Sequence, residues 1–194
     1  MAIFGYDPNL DFSKEEKFLK SHSKVLDVRC LGLQKLEKEP DALKEEICQA
    51  IADERGWDIL FFAGHSYEHE DGKKSGLKGE FQVSSDVCLS INDIQTPIEE
   101  AIKKGLQFAI FNSCTGIDIA ESLIKIGLNQ VLVMREPVHN EVAADFFLAF
   151  FEGVVNYEDV GEALVKAEGG RSVLATGSYY FIAEIYKALR RKIH

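Results

Sequence analysis

The chain has 194 residues, of which 46% are hydrophobic, and its 22 basic and 32 acidic side chains give a formal net charge of −10. This length fits one generous domain with enough apolar side chains for a core, which excludes a disordered or fibrous chain. The acidic balance argues against a nucleic-acid-binding protein, which normally carries a basic surface, and against adsorption to an anionic membrane.

In the first part of the chain, apolar runs alternate with amphipathic segments. The pattern predicts helices at 13–20 and 40–55 and strands at 2–6, 24–31 and 58–63. Ser13 with Glu16 has the signature of a capping box, and Pro40 suits the first position of a helix. The continuous apolar run Ile59–Phe62 is typical of a central parallel strand that is buried on both faces.

The second part of the chain continues this alternation after a polar loop at 66–80 that contains several glycines. The pattern predicts a small hairpin at 80–91, helices at 97–104, 117–126 and 140–152, and strands at 106–111 and 130–134. Thr96 and Glu99 form a second capping box, with Pro97 at the first helical position. Strands that alternate with helices form a parallel sheet with helices on both faces, so the predicted fold class is α/β.

Polar residues follow two of the buried strands at the point where each strand ends. His65 comes directly after the strand at 58–63. Cys114 follows the strand at 106–111, and a helix begins soon after it. In parallel sheets the carboxyl ends of neighbouring strands meet at one edge, where ligands bind. If these two strands are neighbours, a nucleophile and a base face each other across one crevice.

The surroundings of Cys114 suit a nucleophile. The positive end of the following helix favours a thiolate, and a nearby imidazole can take the thiol proton. Gly64 and Gly116 let a peptide backbone approach, and the backbone N–H groups of Gly64 and Cys114 are candidates to stabilise an oxyanion. The sequence assigns no third residue that orients His65. This chemistry requires no metal and no organic cofactor.

The other cysteines, Cys30, Cys48 and Cys88, have no such partner, and no two cysteines have the C-x-x-C spacing of a metal or redox motif. They are interpreted as free thiols in a reducing compartment. No apolar run is long enough to cross a bilayer, and Met1 to Leu10 lack the regions of a secretory signal. We therefore predict a cytoplasmic protein.

Three segments of the chain carry a resemblance to a known family. They are W-D-I-L-F-F-A-G-H-S at 57–66, G-L-Q-F-A-I-F-N-S-C-T-G at 105–116 and V-L-V-M-R-E-P-V at 131–138. The 49 residues from His65 to Cys114, with the histidine first, are similar to the spacing of about 50 in caspases. The chain resembles the caspase-like CHAT domain of bacteria, in particular cyanobacterial versions, over roughly residues 1–165.

The resemblance implies a three-layer caspase-like sandwich, with a mostly parallel central sheet flanked by helices, in one domain over 1–194. It also implies a cysteine endopeptidase of the caspase, metacaspase and separase group, with His65 and Cys114 as its dyad and a protein or peptide as substrate. Family members are often fused to helical-repeat or sensor modules, so a regulatory protein or helical-repeat module is a further expected partner. The sequence indicates no oligomeric state.

Parts of the chain depart from the family pattern. Ser66 stands where many members have glycine after the catalytic histidine, and residues 169–194 do not resemble the usual ending. Asn112 stands where metacaspases place an acid that helps to select a basic side chain, so specificity for arginine or lysine is not implied. Asn112, Arg135 and Glu136 are candidates for the substrate pocket because they lie at strand ends.

Two other hypotheses compete with the peptidase. A catalytically inactive or regulatory module would keep the fold and bind a protein partner in the same crevice. A flavodoxin-like domain would bind a small ligand and would carry a phosphate-cradling glycine loop after its first strand. Residues 5–13 contain only Gly5 and the turn Asp7-Pro8-Asn9, which match that loop poorly, so the flavodoxin-like hypothesis is set aside.

Overall fold

A computed structural model describes residues 1–32, 39–67, 76–113, 116–134, 140–158 and 160–168 of the chain. The chain divides into two compact units. One consists of Met1–Leu10 with Arg29–Pro137, and the other consists of Asp11–Val28 with Val138–His194. The assignment of residues 1–194 to a single domain stays a prediction, and the atypical ending predicted at 169–194 lies outside the described residues.

The described residues of the first unit form two sheets. The described strands are β1 (Ala2–Phe4), β2 (Cys30–Leu31), β3 (Ile59–Ala63), β4 (Ser66–Tyr67), β5 (Glu80–Ser84), β6 (Val87–Ser90), β7 (Phe108–Asn112) and β8 (Gln130–Val133). A five-stranded sheet has the order β2-β1-β3-β7-β8, and every neighbouring pair in it is parallel. An antiparallel sheet has the order β4-β5-β6.

Helices connect most of the parallel strands. The described helices are α1 (Ser13–Ser21), α2 (Pro40–Ile51), α3 (Ile91–Lys103), α4 (Ile117–Ile126), α5 (Asn140–Val155) and α6 (Val160–Glu168). Of these, α2, α3 and α4 belong to the first unit, and α1, α5 and α6 belong to the second. The parallel sheet and its helices confirm the predicted α/β fold class. None of the described helices has the length and apolar character needed to cross a membrane.

The two strands that lead into the predicted site are neighbours in the centre of the sheet. Residues 60–63 of β3 and 108–111 of β7 are buried, as their continuous apolar runs predict. The two strands pair in register from Ile59 with Phe108 to Ala63 with Asn112. They therefore end side by side, which is the arrangement that a shared crevice requires.

The small sheet is anchored beside these strand ends. β5 and β6 form the predicted hairpin, whereas the segment predicted as a loop from residue 66 begins with the short strand β4. The Phe81 ring of β5 packs against the Phe62 and Phe111 rings, with centroid distances of 4.7 and 5.6 Å. Aromatic pairs of this kind contribute about 0.5–1.5 kcal/mol each beyond burial. The hairpin is thereby held against both β3 and β7.

Helix α3 begins six residues earlier than its sequence predicts. The capping box that forms is Ser90 with Asp93: the Asp93 N–H donates to Ser90 Oγ at 3.2 Å, and the Ser90 N–H donates to Asp93 Oδ2 at 2.9 Å. Pro97 consequently lies inside the helix and leaves the Asp93 carbonyl without its usual donor. The Cys48 thiol donates to that carbonyl at 3.7 Å. The prediction of a helix start at residue 97 is therefore wrong.

Two other local predictions need correction. Only Cys30–Leu31 forms a strand within the segment predicted as a strand over 24–31. The N–H groups of Val25 and Leu26 both donate to the His22 carbonyl at 2.9 Å, so the chain turns there and does not extend. Ser13 is the first residue of helix α1 and not its N-cap, so the predicted capping box does not form. The N-cap residue, Phe12, makes no side-chain capping hydrogen bond, and the Ser13 N–H donates to Asp11 Oδ1 at 2.9 Å.

In the described part of the second unit, three helices pack together. The two Phe-Phe pairs of α5, at 146–147 and 150–151, are buried, and Phe151 stacks on Phe18 of α1 with a centroid distance of 6.5 Å. Helix α5 continues past Gly153 to Val155, beyond its predicted end. A Cβ at Gly153 would lie 2.6 Å from the Cβ of Ala163, so the glycine permits close packing of α6.

Candidate active site

The candidate site lies at the topological switch point of the parallel sheet. β3 is flanked by β1 on one side and by β7 on the other. The chain passes from β1 to β2 at one edge of the sheet, and from β3 to β7 and β8 at the other. The switch between the two directions falls between β1 and β3, which is where open parallel sheets form ligand crevices. Residues that follow β1 and β3 are therefore candidates for the site.

Close packing brings the ends of β1 and β3 together. The Gly5 N–H donates to the Ala63 carbonyl at 2.8 Å, and the Tyr6 N–H donates to the Val83 carbonyl at 3.1 Å. A Cβ on Gly5 would lie 2.4 Å from the Gln82 carbonyl oxygen and 3.4 Å from the Gly64 Cα. Glycine at position 5 therefore allows the chain after β1 to pass directly beside His65.

A β-turn after β1 sets the position of Asp7. The Leu10 N–H donates to the Asp7 carbonyl at 3.1 Å, and the Asn9 N–H donates to Asp7 Oδ1 at 2.7 Å. Aspartate at the first position and proline at the second are typical of such a turn. One carboxylate oxygen, Oδ1, thus accepts a hydrogen bond within the turn, and the second oxygen is Oδ2.

That second oxygen faces His65. Asp7 Oδ2 lies 3.2 Å from His65 Nε2, with 22% of the Asp7 side chain and 35% of the His65 side chain exposed. The Asn9 N–H and, to a lesser degree, the His65 ring lower the pKa of Asp7 below its usual value. Asp7 is therefore a carboxylate at neutral pH. No described residue offers a hydrogen bond to His65 Nδ1.

The hairpin holds the backbone of His65 from the other side. The Gln82 N–H donates to the His65 carbonyl at 2.9 Å. The Tyr67 ring stacks on the His65 ring with a centroid distance of 6.5 Å, and the Tyr67 hydroxyl donates to Gln82 Oε1 at 2.7 Å. His65 is consequently fixed through its backbone by β5, while Tyr67 lies alongside its ring.

The two glycines beside the site are required by the protein's own packing. A Cβ on Gly64 would lie 2.7 Å from the Phe62 ring, and a Cβ on Gly116 would lie 2.4 Å from the Val133 Cβ. Both positions face neighbouring chain segments. The sequence-based interpretation was that these glycines let a substrate backbone approach. The contacts show instead that glycine is needed because the neighbouring chain segments leave no room for a Cβ.

The backbone of Gly64 is also occupied. Its N–H donates to the Asn112 carbonyl at 3.2 Å, which extends the pairing of β3 with β7 by one residue. This hydrogen bond engages the donor that the sequence offered for an oxyanion, so we assign Gly64 no oxyanion role. The other candidate donor, the Cys114 N–H, lies outside the described residues.

The segment that carries Cys114 is described on both sides. Asn112 ends β7 with a half-buried side chain, and Ser113 is buried. The Gly116 N–H donates to the Met134 carbonyl at 3.2 Å, and α4 begins at Ile117. Cys114 itself lies outside the described residues, as do the two pocket candidates Arg135 and Glu136. The roles predicted for all three stay predictions.

Ser66 is accommodated in the interior. It is 6% exposed and pairs with Phe81 between β4 and β5. The departure from glycine after His65 therefore adds a small side chain that is directed away from solvent.

Two of the remaining cysteines have a thiol pKa above the usual value. Burial raises the pKa of the Cys48 thiol, and burial and the Glu80 carboxylate raise the pKa of the Cys88 thiol. Cys48 and Cys88 are free thiols. A higher thiol pKa leaves less thiolate, which agrees with the absence of a predicted catalytic role for these two positions.

Asp7 is the residue of this site that the sequence does not reveal. Its turn motif is visible, but its proximity to His65 depends on β1 lying next to β3, and strand order cannot be obtained from local patterns. The sequence feature that could have identified Asp7 is its position: it is an acidic residue shortly after the first strand of a parallel sheet, and ligand crevices form at such strand ends.

Comparison with known proteins identifies one family. The family model described as CHAT domain matches residues 12–172, which include His65 and Cys114 but not Asp7. No curated protein shows a significant match to the chain.

Proposed function

The chain belongs to the CHAT domain family, a caspase-like family, and on this premise we propose that it is a cysteine endopeptidase whose nucleophile is Cys114 and whose base is His65. One observation carries the proposal. The strands that lead into these two residues are parallel neighbours, and their last pair is Ala63 with Asn112. The Gly64–Asn112 hydrogen bond continues that alignment to the residue before His65.

The proposed reaction proceeds through a thioester. His65 takes the Cys114 thiol proton, and the thiolate sulfur attacks the carbonyl carbon of the scissile peptide bond. The tetrahedral intermediate collapses with breakage of the C–N bond, and the protonated His65 gives its proton to the leaving amine. A water molecule, deprotonated by His65, then attacks the thioester carbon. Breakage of the C–S bond releases the carboxylic acid and restores the thiol.

The surroundings of Cys114 in the sequence support this assignment. Helix α4 begins three residues after Cys114, at Ile117, and the amino end of a helix favours a nearby thiolate. The raised pKa values of the Cys48 and Cys88 thiols argue against these two cysteines as the nucleophile.

A peptide-library digest tests the proposal. The chain is incubated with peptides derived from a whole proteome, and new peptide termini are identified by mass spectrometry. We expect the unmodified chain and the control Cys88→Ser to generate the same new termini, while Cys114→Ala and His65→Ala generate none. Full cleavage by either of the last two variants would show that the dyad is wrong.

A second measurement separates the peptidase from a non-catalytic binding module. A peptide electrophile directed at cysteine is added to the chain, and the modified positions are mapped. Selective modification of Cys114 that is lost in His65→Ala supports the peptidase. Equal modification of several cysteines supports the binding module, which needs no activated thiol.

A further inference from the structure

We propose that Asp7 is the positioning residue of the His65–Cys114 pair: its carboxylate holds the imidazole in one orientation and stabilises the imidazolium that forms when the thiol gives up its proton. This inference rests on the proposed function. It is carried by the contact of 3.2 Å between Asp7 Oδ2 and His65 Nε2.

The carboxylate is set in place before any substrate binds. The Asp7 Oδ1 atom accepts the Asn9 N–H at 2.7 Å, so rotation of the carboxylate is restricted. The backbone that leads to it is tied to β3 through the Gly5–Ala63 hydrogen bond of 2.8 Å and to β5 through the Tyr6–Val83 hydrogen bond of 3.1 Å. These constraints direct the second oxygen at the imidazole, so the Asp7 side chain loses little conformational freedom when the site acts.

The contact also decides which ring nitrogen does the chemistry. A carboxylate beside Nε2 requires that this nitrogen carry a hydrogen, because two acceptors repel each other. In the neutral ring Nδ1 is then the unprotonated nitrogen. Nδ1 is therefore the atom that takes the proton from Cys114 and later delivers it to the leaving amine. Asp7 itself neither gains nor loses a proton in this scheme.

A stabilising role in the fold alone would not explain this arrangement. Both side chains are partly exposed, and ion pairs of that kind contribute little to stability. The pair lies at the switch between β1 and β3, where open parallel sheets form ligand crevices. The structure thus provides an orienting anion for His65 that supports proton transfer more than folding.

The rate of Cys114 alkylation by iodoacetamide at neutral pH tests the inference without a known substrate. Asp7→Asn removes the negative charge but keeps an oxygen that can accept the Asn9 N–H. In serine proteases the corresponding change of a buried aspartate lowers kcat about 10⁴-fold. Because Asp7 is partly exposed, we expect a smaller effect, an alkylation rate about tenfold lower. Asp7→Glu, which restores the carboxylate, is expected to recover part of the rate.

Asp11→Asn is the matched control. Asp11 also accepts a backbone N–H two residues ahead, that of Ser13 at 2.9 Å, so the control removes one charge from a similar turn. We expect it to leave the rate unchanged. Circular dichroism melting curves of both asparagine variants verify that they are folded. With a cleavable peptide, Asp7→Asn should lower kcat and leave KM unchanged.

The outcomes are distinguishable. If His65→Ala slows alkylation but Asp7→Asn does not, the positioning role of Asp7 is wrong and the dyad stands. If His65→Ala leaves the rate unchanged, the dyad is wrong and the inference about Asp7 fails with it. If both variants slow alkylation, and Asp7→Glu recovers part of the rate while Asp11→Asn keeps it, the inference is supported.

Discussion

The sharpest structural prediction concerns Gly5, which lies where β1, β3 and β5 converge. Gly5→Ala places a Cβ 2.4 Å from the Gln82 carbonyl oxygen, whereas ordinary contacts begin at 3.4 Å, so backbone must move by about 1 Å. The adjacent hydrogen bonds from Gly5 to Ala63 and from Tyr6 to Val83 limit that movement.

The expected loss of stability follows from these contacts. Overpacking of a close-packed site costs about 1–3 kcal/mol, and weakening one hydrogen bond adds about 1 kcal/mol. The reduced entropy of the unfolded chain on changing glycine to alanine offsets about 0.4–1 kcal/mol. We therefore expect Gly5→Ala to lower the free energy of unfolding by about 1–3.5 kcal/mol.

Urea unfolding followed by circular dichroism measures this change. Gly64→Ala is the comparison, because its closest contact, at 2.7 Å, is the end of the Phe62 ring, which can give way more easily than backbone. We expect a smaller loss for Gly64→Ala, of about 1–2 kcal/mol. If Gly5→Ala unfolds within about 0.5 kcal/mol of the unmodified chain, the close approach of the three strands is not as described.

Two further predictions concern helix capping and acid stability. Ser90→Ala should lower the free energy of unfolding by about 1 kcal/mol, while Thr96→Ala should change it little, because the capping box forms at residue 90. Urea unfolding measures both changes, and equal losses for the two variants would contradict the observed start of α3. Hydrogen bonds from the Arg55 side chain and backbone, together with the Arg29 charge, lower the pKa of Asp53 to about 2. Because this folded-state value lies below the usual one of 3.8, the stabilisation is present above that value and is lost as the pH falls towards 2. Asp53→Asn should therefore show a weaker decline of stability across this range in acid titrations, and an unchanged decline would count against the Arg55 contact.

The sequence predicted an element correctly where only one start, end or type of element fitted the local pattern. The apolar runs of β3 and β7 indicate central strands, and Gly127, with φ of 112°, ends α4 where a left-handed residue is needed. The start of α3 was missed because Ser90–Asp93 and Thr96–Glu99 have equivalent capping signatures. Burial of Ile91 and Ile94, both 0% exposed, favours the earlier start, since this turn contributes apolar side chains to the core.

Some features of the candidate site could likewise be predicted from the sequence, and others could not. His65 and Cys114 were predicted because each follows a buried strand, a feature that the local sequence contains. The oxyanion role of Gly64 could not be judged from sequence, because it depends on whether the N–H pairs with Asn112. The reason for glycine at position 64 could not be judged from sequence either, because it depends on the contact with the Phe62 ring.

The sequence by itself therefore determined the α/β class, the central strands, the family resemblance and the two residues proposed for catalysis. Tertiary structure alone decided that β1 lies beside β3, and hence that the carboxylate of Asp7 contacts the ring of His65. The physical reason is the range of the interactions. Strand propensity and helix capping act over a few residues, whereas strand order is set by packing and hydrogen bonding between segments nearly sixty residues apart, such as Gly5 and Ala63.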